Sequence, residues 1–421
     1  MAATSPPSDR LISLDVIRGI AVMGIFSVNV VGMAMIQIAY FYPPAFGFES
    51  LFDRLMWLIN FLLIDGKMRS LFSMLFGASM LLVINRAVRS GRPWWRTHYP
   101  RMAVLLALGY LHFALLWWGD ILTHYAAVGM VAALLWRLRA ETLLMLSVLG
   151  FVLFAVPGIT SSSQQSAEYH QSQAPDAPAE LRARWAERVK DVKPDAATIA
   201  QDRAEHRSIA TRFNAVISDP WSCPLDLGPL WIETMALMLL GMAGYKSGFL
   251  TGEWQDHSYR GIAAICLGIA FTAYATLAFI AWRADFAPLE FMFASRIASP
   301  PFRPVAAIGY AALFILLFRN PGKLRERFAA IGRTAFSNYI GCTIIGTMIF
   351  YGFAGDFYAR LSRGEAWLLV PPVWLLMLAW SKPWLDRFNY GPLEWLWRSA
   401  ARMELQPMRK RVPQPPATAA A

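Results

Sequence analysis

Charge is the first thing this sequence lacks. Only 16% of its 421 residues are Asp, Glu, Lys or Arg, against about 25% in soluble globular proteins. Cysteine is nearly absent too. Cys223, Cys266 and Cys342 are too few and too scattered for a disulfide framework or a zinc site. There is no G-x-x-x-x-G-K-[ST] loop, no G-x-S-x-G elbow and no H-E-x-x-H pair. That removes the usual phosphate-loop, serine-hydrolase and zinc-protease motifs. What remains is apolar: 56% hydrophobic residues and a mean hydropathy of +0.39. A secreted disulfide scaffold, a disordered chain and a coiled coil are all excluded by that balance.

A bilayer span needs about 20 mostly apolar residues. Ten stretches answer, near 16–38, 68–86, 102–118, 121–136, 142–159, 226–245, 260–282, 304–318, 334–353 and 367–381. The stretch 51–64 is apolar but short and carries Asp53 and Arg54. It reads as an interfacial or re-entrant helix. The expected fold is all-α: a polytopic helical membrane protein of about ten transmembrane helices. The loops 86–101 and 319–333 carry five Lys or Arg each. Such loops stay on the cytoplasmic side, which places both termini there. The net charge of +11 then reflects basic inner loops and calls for no nucleic acid.

The stretch 160–223 is polar, and its charges nearly balance. It reads as an extracytoplasmic insertion, with a short exposed helix over Glu180–Lys190. It divides an N-terminal membrane half (1–159) from a C-terminal one (224–400), five spans each. Residues 401–421 read as a disordered cytoplasmic tail. Asp15 and Arg18 stand at the start of the first apolar run, with no A-x-A site after it. That run is expected to stay as an anchor rather than leave as a signal peptide.

Polar side chains inside a span are costly, so each is a candidate for function. In the first span Asp15, Arg18 and Asn29 share one face, within ~60° at 100° per residue. Asp15 and Arg18 are three apart and can pair. Asp65, Lys67 and Arg69 sit between the interfacial helix and the second span, as a turn or as an outward anion-recognition patch. His112 lies in the third span. Asp120 stands at the following turn, placed to cap the next helix and four residues from His124, with Tyr125 beside it. A histidine with a carboxylate is the minimum equipment of a general base. Glu233 lies in the sixth span, where a carboxyl must be protonated, bonded or paired. His112 or Arg69 would be natural partners. Ser337, Asn338, Thr343 and Thr347 read as helix packing. No metal constellation accompanies any of these.

Several blocks carry a resemblance. RLISLDVIRGIAVMGIFSVN at 10–29, GKMRSLFSMLFGASM at 66–80 and GYLHFALLWWGDILTHYAAVG at 109–129 are three of them. GRTAFSNYIGCTIIGTMIFYGF at 332–353 and GPLEWLWRS at 391–399 are the others. Together they resemble the YeiB family of bacterial inner-membrane proteins, whose members carry a C-terminal domain of unknown function. S-x-D-x-x-R-G at 13–19, with Asn29 eleven residues after Arg18, is also similar to the first span of membrane-embedded acyltransferases. Heparan-alpha-glucosaminide N-acetyltransferase is the nearest comparison. The resemblance implies transfer of an acyl group, from a donor such as cytoplasmic acyl-CoA, to a sugar or lipid on the far side. The wider superfamily has His where Asn29 stands, and residues 30–60 here hold no His.

Three functions follow as expectations. The first is an acyltransferase. His112 is its base, Asp120 or Glu233 orients that base, and Asn29 supports an oxyanion. Asp15, Arg18, Asp65, Lys67, Arg69, His124 and Tyr125 contact substrate, and Arg18, Arg86, Arg89, Arg92 and Arg96 face the phosphates of acyl-CoA. The alternative is a proton-coupled transporter or permease of a small molecule or lipid. The third is a scaffold whose contact surface is the polar insertion.

Overall fold

The computed structural model describes residues 9–219 and 228–410. Cys223 and the tail from 411 onward lie outside the described residues. Among those described there is no strand, only an isolated bridge between Phe388 and Arg409. The chain is an all-α helical membrane protein.

The first helices in chain order are α1 (Asp9–Ala34), α2 (Gln37–Phe41), α3 (Leu51–Leu63), α4 (Lys67–Arg89) and α5 (Trp94–Leu115). Next come α6 (Leu122–Ala132), α7 (Ala140–Ser172), α8 (Ala179–Val192), α9 (Ala196–Glu205) and α10 (Ile209–Ser218). Then follow α11 (Pro229–Lys246), α12 (Asp256–Arg283), α13 (Pro288–Met292), α14 (Phe302–Leu317) and α15 (Lys323–Arg333). The last are α16 (Ala335–Phe350), α17 (Arg363–Trp367), α18 (Val370–Arg387) and α19 (Pro392–Arg402).

Each of the ten apolar stretches falls mainly on helix where its residues are described. By length and composition, five candidate spans stand among the described residues: Ile12–Ala34, Leu51–Arg89, Ala140–Ser172, Asp256–Arg283 and Arg363–Arg387. The bent pair Pro288–Ala298 and Phe302–Leu317 adds a sixth. Leu122–Leu135 and Ala335–Phe350 are apolar but shorter. α5 carries Arg96, His98 and Arg101 in its first half, and α11 carries Glu233 and Lys246. Short length or polar side chains keep these helices below the length and composition of a full span. The helix expected at 51–64 is α3. It belongs to the same 39-residue candidate as α4, divided from it by a turn at Gly66.

The two sequence halves interleave. α1 packs along α15 and α16, and α11 packs against both α4 and α7. One apolar cluster joins Phe26 and Met33 of α1 to Met102, Tyr339 and Val373. The lipid side of α7 is bare, with Met145, Val148, Leu149 and Val152 exposed.

The insertion begins later than expected, because α7 continues without a break to Ser172. Its remaining helices, α8 to α10, form a cap on one end of the bundle. Tyr358 Oη donates to Asp202 Oδ2 at 3.1 Å, and the His206 ring stacks on Tyr358 at 4.1 Å. Arg203 donates to the Ala359 carbonyl, and Arg212 to that of Phe113 at 2.6 Å. The tail expected to be disordered from 401 is instead tied down as far as 410. Asn389 Nδ2 donates to the Pro407 and Arg409 carbonyls, and Trp395 Nε1 to that of Gln406.

Candidate functional site

His112 stands one turn before the end of α5, 3% exposed. Its Nδ1 lies 2.9 Å from Asp120 Oδ1. The other oxygen of Asp120 accepts the Thr123 backbone N–H at 2.8 Å. One carboxylate thus starts α6 and holds the ring, which is why it cannot also face His124. His124 Nε2 instead meets Thr234 Oγ1 at 2.9 Å. A carboxylate accepts only, so Nδ1 of His112 carries the proton. In the neutral ring Nε2 then carries no proton and accepts from Thr343 Oγ1 at 3.1 Å. Thr343 also lines a small void of about 10 Å³ with Asn29, Tyr339 and Cys342.

Glu233 does not reach His112. It is 1% exposed and accepts from two guanidiniums, Arg69 Nη2 at 2.6 Å and Arg303 Nη1 at 3.1 Å. Breaking such a pair costs about 3–5 kcal/mol, because a buried charge is left alone. Lys67 is wholly buried. Its Nζ donates to the Phe61 carbonyl at 2.7 Å and sits 3.0 Å from the Tyr274 ring centroid. Asp65 is exposed, and its backbone carbonyl accepts from Lys67 at 3.3 Å. Arg303 packs over Gly66, whose φ is +70° and where a Cβ would meet Arg303 Nε at 2.5 Å. Gly66→Ala is therefore expected to cost about 2 kcal/mol, from left-handed backbone plus displacement of Arg303. Thermal unfolding in detergent checks it. An unchanged Tm would mean that Arg303 is free to move aside.

A cavity of about 380 Å³ opens at the opposite end, within the usual range for ligand sites. Arg18, Arg86, Arg101, Arg333 and Arg398 line it, along with Asp15 and Glu394. Both carboxylates are engaged. Asp15 pairs with Arg18 at 2.7 Å. Glu394 Oε1 accepts the Phe336 and Ser337 backbone N–H groups at the start of α16. Arg18 also donates to Ser79 Oγ at 2.7 Å. Deeper, the wall becomes apolar with Ile25, Phe72, Phe76, Met102, Leu105 and Leu122. It ends against Tyr125 and Tyr339. The Tyr125 hydroxyl bonds Ser73 Oγ at 2.6 Å, one turn from Arg69. The Tyr339 ring lies 5.4 Å from that of His112. Ile25 and Tyr339 line both the cavity and the small void, and so form the partition between them.

The expected site residues thus fall into three groups. His112 and Asp120 are bonded to each other, and Asn29 lies near them across Thr343. Glu233, Lys67, Arg69 and Asp65 gather around Arg303, with His124 beside them through Thr234. Asp15, Arg18 and Tyr125 line the cavity. Of the inner arginines only Arg18 and Arg86 do so; Arg89, Arg92 and Arg96 do not. Arg101 and Arg333 read in the sequence only as cations of the basic loops, and Arg303 and Arg398 carry no site role there. A cation at the edge of a span looks like an orientation signal, so nothing local marks any of these four as a site residue.

Two relatives match the chain along nearly its whole length. The chain is 30% identical to the uncharacterized protein YeiB of Escherichia coli (strain K12), over 93% of this chain and 96% of that one. The chain belongs to the YeiB family. It is also 29% identical to the uncharacterized protein YxaH of Bacillus subtilis (strain 168), over 96% of this chain and 97% of that one. Residues 244–404 match a family described as "Protein of unknown function (DUF418)". That match covers α12 to α19 and hence the Arg303 arm, Thr343, Tyr339 and the Glu394 cap. The His112–Asp120 pair and Glu233 of this YeiB-family chain lie before it. No solved structure matches the chain.

Proposed function

We propose that this protein is a membrane-embedded acyltransferase. The observation that carries the reading is the cavity: five arginines at its mouth, an apolar shaft, and an end wall shared with the His112–Asp120 pair. That profile suits a donor with anionic phosphates and an apolar acyl arm, such as acyl-CoA. The mouth lies at the end with the basic loops 86–101 and 319–333, so it faces the cytoplasm of a bacterial inner membrane. The acceptor, a sugar or lipid, enters from the capped end.

The chemistry balances with these residues. The acceptor hydroxyl or amine gives its proton to His112 Nε2 as its oxygen or nitrogen bonds the acyl carbonyl carbon. Asn29 Nδ2 donates to the oxyanion. The carbon–sulfur bond then breaks, and the leaving thiolate takes the proton from the imidazolium. Turning Tyr339 aside joins the cavity to the void where Thr343 and Asn29 stand. The interleaved halves favour this over a transporter built from two moving halves.

The test uses purified full-length protein in detergent with acetyl-CoA. Binding and release of free thiol are expected without a sealed membrane. Arg86→Gln with Arg398→Gln is expected to weaken donor binding about tenfold or more per arginine, since a charged hydrogen bond contributes about 1.5–3 kcal/mol. Absence of both CoA binding and thiol release would remove the reading. Uptake that needs vesicles and a proton gradient would establish the transporter instead.

A further inference from the structure

The cluster around Glu233 holds more positive charge than its carboxylates answer. Arg69 and Arg303 share the one buried carboxylate of Glu233. Lys67, fully buried, bonds only backbone carbonyls. Arg69 keeps its second terminal nitrogen, Nη1, buried with no partner. Arg296 and the exposed Asp65 lie within electrostatic range of Arg303. Four cations thus face two carboxylates, one of them in solvent.

The backbone adds to this imbalance. Lys67 and Arg69 stand in the first turn of α4, and Arg303 in that of α14. His124 stands in the first turn of α6, and Glu233 near the start of α11. The positive ends of four helices therefore meet here. A positive surplus in a half-buried place is costly unless an anion completes it. The Arg69 and Arg303 side chains are 22% and 17% exposed, so the cluster is open to one side.

We infer that Arg69 and Arg303 form a binding site for the oxyanion group of a second ligand, a phosphate or carboxylate, at the end of the bundle away from the arginine-rimmed cavity. Seventeen residues of α4 separate Arg69 from Arg86 at the cavity mouth, about 25 Å along the helix. One anion therefore cannot serve both places. Guanidinium pairs grip such groups through two parallel hydrogen bonds, which a single ammonium cannot do. Glu233 pairs with both arms and competes with the ligand for them. The inference does not depend on acyl transfer.

The test uses the full chain in neutral detergent, with Arg86→Gln and Arg398→Gln in the background to weaken the cavity mouth. Tm is followed while inorganic phosphate replaces chloride at constant ionic strength. A second arm dopes the micelles with phosphatidylglycerol, against phosphatidylcholine as control. A saturable rise in Tm is expected in at least one arm. Response to phosphate marks a soluble ligand; response to phosphatidylglycerol alone marks a lipid headgroup. Arg303→Gln or Arg303→Lys should raise the midpoint concentration at least tenfold. Glu233→Gln, which frees both guanidiniums, should lower it at least tenfold, a gain that misfolding cannot imitate. No saturable rise in either arm, or equal midpoints in the Arg303 variants and their parent, overturns the site.

Discussion

Gly241→Ala is expected to remove more than about 3 kcal/mol of stability, and Gly77→Ala nearly as much, through overpacking of a tight helix contact. α4 and α11 touch backbone to backbone. A Cβ on Gly241 would sit 1.8 Å from the Met74 carbonyl oxygen, and one on Gly77 would sit 2.1 Å from that of Met238. Neither obstacle is a flexible side chain, so one helix must move. Small residues serve this purpose where helices meet in lipid, because close approach replaces a hydrophobic driving force that lipid does not supply. The displacement would also be felt at Glu233, two turns up α11, and at Arg69, two turns from Gly77 on α4. Gly261→Ala and Gly268→Ala on α12 are the controls. They have nothing within 4 Å, so the gain in helix propensity, up to about 1 kcal/mol, should leave Tm unchanged or higher. Unfolding in detergent, followed by tryptophan fluorescence, separates the two pairs. If Gly241→Ala melts with Gly268→Ala, the α4–α11 contact is looser than described.

His112→Ala is expected to lower turnover with acyl-CoA by about 10²–10⁴-fold, the range of a lost general base, with donor binding unchanged. The cavity arginines proposed to hold the donor are untouched by this substitution. Asp120→Asn is the sharper variant. Asp120 accepts from two donors at once, the His112 ring and the Thr123 backbone. An asparagine offers one oxygen and one NH₂ group. If the oxygen keeps the cap, the amide donates to Nδ1, and the ring proton moves to Nε2. The position that should take the acceptor proton is then occupied. A loss of about 10²-fold or more in kcat is expected, with little change in KM. Variants that keep turnover within threefold of the parent would make the pair a structural brace between α5, α6 and α16.

The Asp120 case shows where sequence reading stops. The sequence offers Asp120 two histidines, His112 as a base to orient and His124 four residues on, and spacing alone does not choose between them. The four-residue rule holds within a helix, and Asp120 stands just outside one. Turned back to cap α6, its carboxylate reaches His112, eight residues earlier, and leaves His124 to Thr234. The tail is a similar case. Its prolines read as disorder, yet Asn389, Trp395 and Ser399 supply bonds that order it through residue 410, and none of them is adjacent in sequence to its partner.

What the sequence alone determined is what depends on local composition and period. Apolar stretches, basic loops and the polar insertion follow from water, lipid and charge acting on neighbouring residues. They sufficed for an all-α membrane fold, for the helical stretches and for singling out His112, Asp120, Glu233 and Arg69. The tertiary structure decided the partners. Glu233 meets Arg69 and Arg303 across 164 and 70 residues, and the cavity draws its arginines from α1, α4, α5, α15 and α19. Such pairings arise from how helices cross, and crossing is set by contacts like Gly241 on Met74 that no single stretch of sequence encodes.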